Sequence, residues 1–269
     1  FVNANFPKGY AGATLTNVTA TANDDGTVIT VKATAVMPTT LLRLVGVQTV
    51  DLNVTSEVTR GISGLELVLA LDNTGSMYGS KLANLKVASN DLLDIVFGGD
   101  DVADDLYVGL VPFSQAVNVG SSRTTWTKTN SIKNLDWGTT SWGGCVEERT
   151  GGRDTTDQPP AVSGSSTTAN ATRFSPYYWP DDSNNDWKYS KTSYNITAYS
   201  GPNLYCPDVV TPMTTKKATV VAAVDRMKAV GNTHINLGAV WGWRMLSPLW
   251  RGYWGGDMAT YKLPLDYNA

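Results

Sequence analysis

The sequence predicts an α/β fold preceded by a small β-rich unit. Residues 13–59 alternate apolar and polar side chains with the period of strands, whereas apolar strands and amphipathic helices follow one another from residue 64 onward. A chain of 269 residues is long enough for one large or two modest domains, each with its own core. We therefore expect a β-rich unit over residues 1–60 and an α/β domain over residues 61–269.

The β-rich unit is predicted to contain three strands. Ala13–Ala22 alternates, the run Asn23-Asp24-Asp25-Gly26 is typical of a hairpin turn, and Thr27–Met37 continues the alternation. A short helix is expected over Leu41–Val45, after which Thr49–Thr59 returns to the period of a strand. The strand faces opposite the apolar side chains are rich in Thr and Asn, which indicates that they face solvent.

The α/β domain is predicted to begin with a strand and a helix. The apolar run Leu65–Leu71 is too short to cross a membrane and is bounded by polar residues, which is typical of a buried central strand. Lys81–Phe97 is predicted to be a helix because apolar residues recur at helical spacing. The residues expected on its buried face are Leu82, Leu85, Ala88, Leu92 and Val96.

One carboxylate and two hydroxyls directly follow this strand, at Asp72, Thr74 and Ser76. Such hard oxygen donors suit Mg²⁺, Mn²⁺ or Ca²⁺, and open α/β sheets bind ligands at the carboxyl ends of their strands. The spacing alone is weak, since Asp-x-Ser/Thr-x-Ser arises by chance in about one chain in ten of this length. Asp72 could instead cap the following helix, but capping does not account for the two hydroxyls.

The remaining elements are predicted from the same periodicities. An acidic turn at Gly98–Asp105 precedes a strand at Leu106–Phe113, and we interpret its four aspartates as a solvated turn rather than a second cation site. Residues 114–214 have few apolar periods but many Trp and Tyr, which indicates an ordered insertion near the metal-bearing edge. Helices are expected over Thr215–Val230, ended by Gly231, and over Ile235–Leu246.

Composition favours an exported or surface protein. Charged residues make up 17% of the chain, with nine Trp and twelve Tyr, and the net charge of −3 without a basic run argues against nucleic-acid binding. No stretch of about 18 apolar residues is present, so no transmembrane helix is expected. Cys145 and Cys206 form no Cys-x-x-Cys pair and the single histidine is distant, which argues against zinc. Two free thiols or one disulfide are possible, and an oxidising compartment favours the disulfide.

Nothing in the sequence indicates catalysis. A Ser-His-Asp triad would need His234 as its base with Ser76 and Asp72, yet the chain has no Gly-x-Ser-x-Gly elbow and no mark of an oxyanion hole. We interpret Glu147-Glu148-Arg149 as a surface charge cluster rather than an acid–base pair. The run Trp241-Gly242-Trp243-Arg244 is expected to pack in the core rather than to form a ligand platform.

Two segments resemble a known family. Asp72-Asn73-Thr74-Gly75-Ser76 resembles the metal-ion-dependent adhesion site of von Willebrand factor type A domains. Gly231-Asn232-Thr233-His234-Ile235-Asn236-Leu237-Gly238 resembles the later loop that supplies a threonine ligand in that family. The resemblance implies a Rossmann-like sheet with helices, and it implies that four side chains bind Mg²⁺ (or Ca²⁺ or Mn²⁺). These implied ligands are Asp72, Thr74, Ser76 and Thr233.

Further segments narrow the resemblance to TadG-like proteins of bacterial tight-adherence (Tad/Flp) pilus systems. These segments are Val111-Pro112-Phe113-Ser114, Trp142-Gly143-Gly144-Cys145, Cys206-Pro207 and Trp241–Pro248. The resemblance implies a non-enzymatic protein of the bacterial surface, periplasm or extracellular space, anchored through an upstream membrane helix. It would bind a pilus or envelope protein through the metal in pilus assembly or adhesion. The alternative is a structural subunit of an extracellular filament or surface layer, in which the β unit and the insertion make the subunit contacts.

One element of the family pattern has no counterpart in this sequence. The family has a further strand ending in Thr-Asp-Gly, which follows the helix corresponding to Ile235–Leu246 and lies beside the strand Leu65–Leu71. The resemblance therefore implies a sheet truncated on its C-terminal side, with the strand supplied by residues after Ala269 or by another chain. Without that strand, Leu65–Leu71 would be an apolar edge with unpaired backbone groups.

Overall fold

A computed structural model describes residues 6, 9–23, 28–59, 64–188 and 193–267. The chain divides into two compact units, residues 1–63 and 64–269. In the described part of the chain, no helix is both long and apolar enough to cross a bilayer.

The first unit is a three-stranded antiparallel sheet in the order β1-β2-β3. Its strands are β1 (Thr14–Ala22), β2 (Val28–Pro38) and β3 (Thr49–Thr59), and a 3₁₀ turn at Leu42–Val45 lies between β2 and β3. These bounds lie within one residue of the predicted ones, and a 3₁₀ turn replaces the predicted short helix. The predicted hairpin turn between β1 and β2 falls mainly on residues 24–26, which lie outside the described residues.

The alternation along these strands separates an apolar from a polar face. Val31 on β2 lies opposite Ala20 and Ser56, and its neighbours two residues away pair with apolar residues of both flanking strands. On the other face the Thr34 hydroxyl donates to Asn53 Oδ1 at 3.0 Å. The register therefore follows the period of two in the sequence.

The second unit contains a five-stranded mixed sheet with helices on both faces. Its strands are β4 (Leu65–Asp72), β5 (Leu106–Phe113), β6 (Val117–Asn118), β7 (Cys145–Val146) and β8 (Thr211–Thr214). The order is β4-β5-β6-β7, and β8 pairs with β5. β4 is parallel to β5, whereas β6 and β8 are antiparallel to it. The unit is thus a mixed α/β structure.

The prediction that Leu65–Leu71 is a buried central strand is wrong. β5, not β4, is the strand that is buried and has neighbours on both sides. All eight residues of β5 are buried, whereas Leu65 on β4 is 47% exposed and, among the described residues, β4 pairs with β5 alone. The apolar run of β4 arises because both of its faces are covered. Leu67 and Leu69 pack in one core cluster, while Val68 and Ala70 approach Gly242 on the opposite face. A strand can therefore be apolar on both faces even when only one of its edges is hydrogen-bonded to another strand.

Five α-helices complete the described part of this unit: α1 (Ser80–Phe97), α2 (Thr167–Thr172), α3 (Lys217–Arg226), α4 (Ile235–Leu246) and α5 (Gly256–Thr260). The buried face of α1 differs from the predicted one, because Ala88 and Leu92 are exposed while Ser89 and Leu93 are buried. Ser89 tolerates burial since its hydroxyl donates to the Leu85 carbonyl at 2.8 Å.

The predicted end of α3 at Gly231 is also wrong. The helix ends at Arg226, and Met227 adopts φ −52° and ψ 137°. The following residues bond to the loop after β4 instead: the Val230 N–H donates to the Asn73 carbonyl at 2.8 Å. Tertiary hydrogen bonds therefore end this helix before its apolar pattern does.

Residues 114–214 contribute to the sheet and to the core. They include β6, β7 and β8, and they supply Trp126, whose ring lies 5.3 Å from Trp250 and 6.4 Å from Trp241 on α4. Cys145 and Cys206 form a disulfide with a Cα–Cα distance of 5.8 Å, as predicted. Trp126, Trp142 and Phe174 thus belong to the main core, whereas Tyr177 packs in a separate cluster with Cys145.

The interpretation of Glu147-Glu148-Arg149 as a surface cluster is wrong for Arg149, which is 4% exposed. Its guanidinium donates to the carbonyls of Gln158 and Thr172 at 2.7 and 2.9 Å and lies 4.8 Å from the centre of the Phe174 ring. Burial lowers the pKa of Arg149 to about 10. This cation is accommodated by carbonyl oxygens and an aromatic face.

Candidate metal centre

The loop between β4 and α1, residues 73–79, begins with a local hydrogen bond. Asp72 Oδ1 accepts the backbone N–H of Thr74 at 2.9 Å, which places the carboxylate over the start of the loop. A 3₁₀ turn at Gly75–Met77 follows, and the N-cap of α1 is Gly79, without a side-chain cap. The alternative role of Asp72 as the cap of α1 is therefore wrong.

The three predicted ligand hydroxyls lie side by side. Thr233 Oγ1 donates to Thr74 Oγ1 at 2.9 Å although 159 residues separate them, and Thr74 Oγ1 lies 3.2 Å from Ser76 Oγ. Thr74 is thus the centre of a row of hydroxyls, and its backbone N–H binds the fourth predicted ligand, Asp72. The structure brings the four predicted residues into one local cluster.

Backbone hydrogen bonds hold the two loops of this cluster together. The Gly75 N–H donates to the Gly231 carbonyl at 2.8 Å, and the Asn73 side-chain amide donates to the Lys228 carbonyl at 2.9 Å. Together with the bond between Val230 and Asn73, these contacts align the β4–α1 loop with the α3–α4 loop, residues 227–234. These bonds bring the α3–α4 loop beside the β4–α1 loop, where the Thr233 hydroxyl reaches Thr74.

Two glycines permit this close approach. A Cβ at Gly75 would lie 3.1 Å from the Gly231 carbonyl oxygen. Gly231 has φ +67°, a conformation that other residues rarely adopt, and a Cβ there would lie 2.8 Å from Gln115 Oε1. A side chain at Gly75 would press on the α3–α4 loop, whereas one at Gly231 would displace the Gln115 side chain that binds Asn232.

The cluster is closed on its inner side and open on its outer side. Asn73 and Thr74 are completely buried, whereas Ser76 and Thr233 are exposed and Asp72 is half-buried. Solvent, or a group from another molecule, can therefore reach the exposed hydroxyls.

Two side chains near the cluster were not predicted. Gln115 Oε1 accepts the backbone N–H of Asn232 at 2.6 Å and so holds the residue before Thr233. Glu148 lies 3.2 Å from His234 Nε2 and accepts the Asn236 amide at 2.5 Å. Both contacts join residues more than eighty positions apart, and no local pattern in the sequence marks them.

The donor set fits a hard divalent cation rather than a soft one. It consists of one carboxylate and three neutral hydroxyls, and oxygen ligands of this kind suit Mg²⁺, Mn²⁺ and Ca²⁺. Within the described ranges, no group of three or more His, Cys, Asp or Glu side chains comes together as a metal site. Asp72 is thus the single acidic member of the predicted ligand set.

No family model, curated protein or solved structure matches this chain. The fold itself defines the class of protein, which is a mixed α/β unit with a mixed sheet and one disulfide.

Proposed function

We propose that this chain is a non-enzymatic bacterial envelope or cell-surface protein that binds a protein partner through a divalent cation. We assign the second unit to the von Willebrand factor type A class and the whole chain to proteins similar to TadG of Tad pilus systems. The partner would be a pilus or envelope component, and the location would be the cell surface, the periplasm or the extracellular space.

Support for this function comes chiefly from the Thr233 hydroxyl. It reaches Thr74 Oγ1 at 2.9 Å, beside Ser76, although the residue lies on a separate loop. Helix capping or core packing would not bring three hydroxyls together at an exposed carboxyl end of a strand. The same edge of an open α/β sheet is where ligands of such folds bind.

Asp72, Thr74, Ser76 and Thr233 would hold the cation, which we infer to be Mg²⁺ with Mn²⁺ or Ca²⁺ as alternatives. When bound, the cation would supply a positive charge that three neutral hydroxyls and one carboxylate leave partly uncompensated. The exposed side chains of Ser76 and Thr233 leave an approach for a carboxylate of the partner. Buried Thr74 fixes the spacing of the two exposed hydroxyls through its hydrogen bonds.

Thermal unfolding with and without Mg²⁺, Mn²⁺ or Ca²⁺ tests the site. A ligand that binds only the folded state at a hundred times its Kd stabilises it by about 2.7 kcal/mol, so the melting temperature of the wild type should rise. Asp72→Ala and Thr233→Val should each abolish the rise, whereas Thr233→Ser, which keeps the hydroxyl, should retain most of it.

Thr197→Val is the matched control for these variants. Thr197 Oγ1 lies 3.0 Å from Ser200 Oγ in an exposed hydroxyl pair outside the cluster, so its loss should leave the cation response unchanged. A wild-type protein that responds to none of the three cations, or a response that persists in Asp72→Ala, would contradict the assignment of the site.

The second candidate is a structural subunit of an extracellular filament or surface layer. It is favoured by β4, which in the described part of the chain pairs on one side only and exposes Leu65. Unpaired strand edges promote association with other strands. Electron microscopy of purified protein separates the two functions, since dispersed particles support the binding protein and regular polymers support the subunit.

A further inference from the structure

The turn between β2 and β3 exposes an unusual run of apolar side chains. All residues from Leu41 to Thr49 are exposed, and we call residues 41–47 the apolar tip. Leu41, Leu44 and Val45 are 81%, 86% and 76% exposed, and Leu42 and Val47 are also exposed. A contiguous apolar surface of this kind indicates contact with another molecule or with a membrane.

Part of the backbone of the apolar tip is hydrogen-bonded within the turn. The N–H groups of Leu44, Gly46 and Val47 donate to the carbonyls of Leu41, Arg43 and Leu42 at 3.1 to 3.2 Å. At the base, the Thr39 N–H donates to the Gln48 carbonyl at 2.9 Å. These bonded groups keep their partners when water is removed, which lowers the cost of moving the turn into an apolar medium.

The apolar side chains occupy two of the three sides of the turn. In a 3₁₀ turn, side chains three residues apart lie on the same side, so Leu42 aligns with Val45 and Leu41 with Leu44, while Arg43 lies on the third side. Helical segments with a wide apolar surface and a basic side lie in the interface of a bilayer, with the apolar side chains among the acyl chains and the basic side toward the headgroups.

The charge distribution favours a lipid headgroup region. Arg43 is exposed and is the one ionisable residue between Thr39 and Val50; the first acidic residue is Asp51 on β3. A long basic side chain among apolar ones can extend its guanidinium to lipid phosphates while its stem stays among acyl chains. Thr39, Thr40 and Gln48 form a polar base at the level where headgroups would lie.

We propose that the apolar tip inserts into the interface of a lipid bilayer, with Arg43 bound to lipid phosphate. The first unit would thereby contact the membrane surface through side chains, without spanning the membrane. This inference rests on the tip alone and is independent of the metal centre.

Labelling with an environment-sensitive fluorophore tests the insertion on the full chain. The two native cysteines are joined in a disulfide, so a cysteine introduced by Leu44→Cys can be labelled selectively. Vesicles of phosphatidylglycerol and phosphatidylcholine should shift the emission of this label to the blue. The same label at Ile95→Cys, which is 76% exposed on α1, should show no shift and serves as the matched control.

Vesicle sedimentation measures the contribution of individual side chains. Leu44→Asp should weaken partitioning by about tenfold or more, because a charged side chain would replace an apolar one that inserts into the bilayer. Arg43→Gln should weaken it about fivefold on anionic vesicles and little on neutral ones. Ile95→Asp should leave partitioning unchanged. Circular dichroism confirms that each variant is folded.

Three results would overturn the proposal. The first is a Leu44 label that does not respond to vesicles, and the second is Leu44→Asp protein that partitions like the wild type. The third is a blue shift that depends on protein concentration without vesicles, which would make the tip a contact between copies of this chain.

Discussion

The strands of the first unit alternate apolar and polar side chains, whereas β5 of the second unit is apolar throughout, and the two sheets differ widely in burial. In the second unit, every residue of β5 is buried. In the first unit, Ala35 is the one buried residue on the described strand positions, and Val54 and Val58 on its apolar face are 62% and 56% exposed. The alternation of a strand therefore predicts which face is apolar and does not predict that the face is covered.

The covering layers of the second unit account for this difference. Helices α1 and α3 cover one face of its sheet, and α4 with Trp126, Trp142 and Phe174 covers the other. All nine Trp of the chain lie in this unit, so their fluorescence follows its unfolding alone. Hydrogen exchange of strand amides can follow the first unit separately. Trp fluorescence and hydrogen exchange therefore report on the two units separately.

The largest effect is expected at Trp241, which is completely buried and lies 4.9 Å from Phe174 and 5.5 Å from Trp250, ring to ring. Trp241→Ala should lower the free energy of unfolding of the second unit by about 3–5 kcal/mol, because it removes a large side chain and leaves a cavity. Urea unfolding followed by the fluorescence of the remaining Trp residues measures the loss.

Trp243→Ala on the same helix is the control. Its side chain is 43% exposed and donates to the Tyr267 hydroxyl at 3.2 Å, so the expected loss is about 1 kcal/mol. Equal losses for the two variants would mean that the aromatic core is not the covering layer that distinguishes the two units.

The disulfide should contribute nearly as much. Cys145 and Cys206 are 61 residues apart, and closing a loop of this length stabilises the folded state by about 4 kcal/mol in the chain-entropy model. Replacing both with Ser should lower the stability of the second unit by about that amount and leave exchange in the first unit unchanged. Alkylation of two thiols in protein prepared without reductant would contradict the bond itself.

The elements that the sequence predicts best are those whose environment is simple. The bounds of β5 and α4 match the predicted Leu106–Phe113 and Ile235–Leu246, because one is apolar throughout and the other has a clear helical period ended by Ser247-Pro248. For the metal centre, the resemblance named four residues on two loops, and the hydrogen bond from Thr233 to Thr74 joins those loops. Metal binding by these residues stays a prediction.

The features that the sequence does not predict depend on distant contacts. β6 and β7 are two residues long, too short to show a period, and they form because β6 pairs with β5 and β7 pairs with β6. The burial of Ser89 instead of Leu92 on α1 depends on which part of the helix meets the sheet. Gln115 and Glu148 reach the α3–α4 loop by tertiary folding alone.

A medium effect is expected where α4 meets the sheet. A Cβ at Gly238 would lie 2.3 Å from the Phe113 ring, and this neighbour belongs to a completely buried strand. Gly238→Ala should therefore lower the stability of the second unit by about 1–3 kcal/mol through overpacking, despite the better helix propensity of Ala. Gly256→Ala is not a matched control because of its φ of +56°, whereas Ala239→Gly tests propensity alone on the exposed side of α4.

A stability of Gly238→Ala equal to that of the wild type would mean that the contact between α4 and β5 is looser than the structure indicates. The sheet of the second unit would then be packed less tightly by its covering helix, and its burial would differ less from that of the first unit. Ala239→Gly should cost about 1 kcal/mol, which sets the scale of a change without overpacking.

The smallest effect is expected on the apolar face of the first unit. Val54→Thr keeps the shape and the β-branching of the side chain and replaces one methyl group by a hydroxyl. Because Val54 is 62% exposed, the hydroxyl can bind water, and exchange-derived stability of the β3 amides should change by no more than about 0.5 kcal/mol.

The same replacement at Val108, which is completely buried on β5, should cost about 1–3 kcal/mol because its hydroxyl would lose contact with water. The pair compares the same chemical change on a bare and on a covered face. A loss of stability at Val54 as large as that at Val108 would contradict the exposure of the apolar face of the first sheet. It would mean that another layer covers this face in solution.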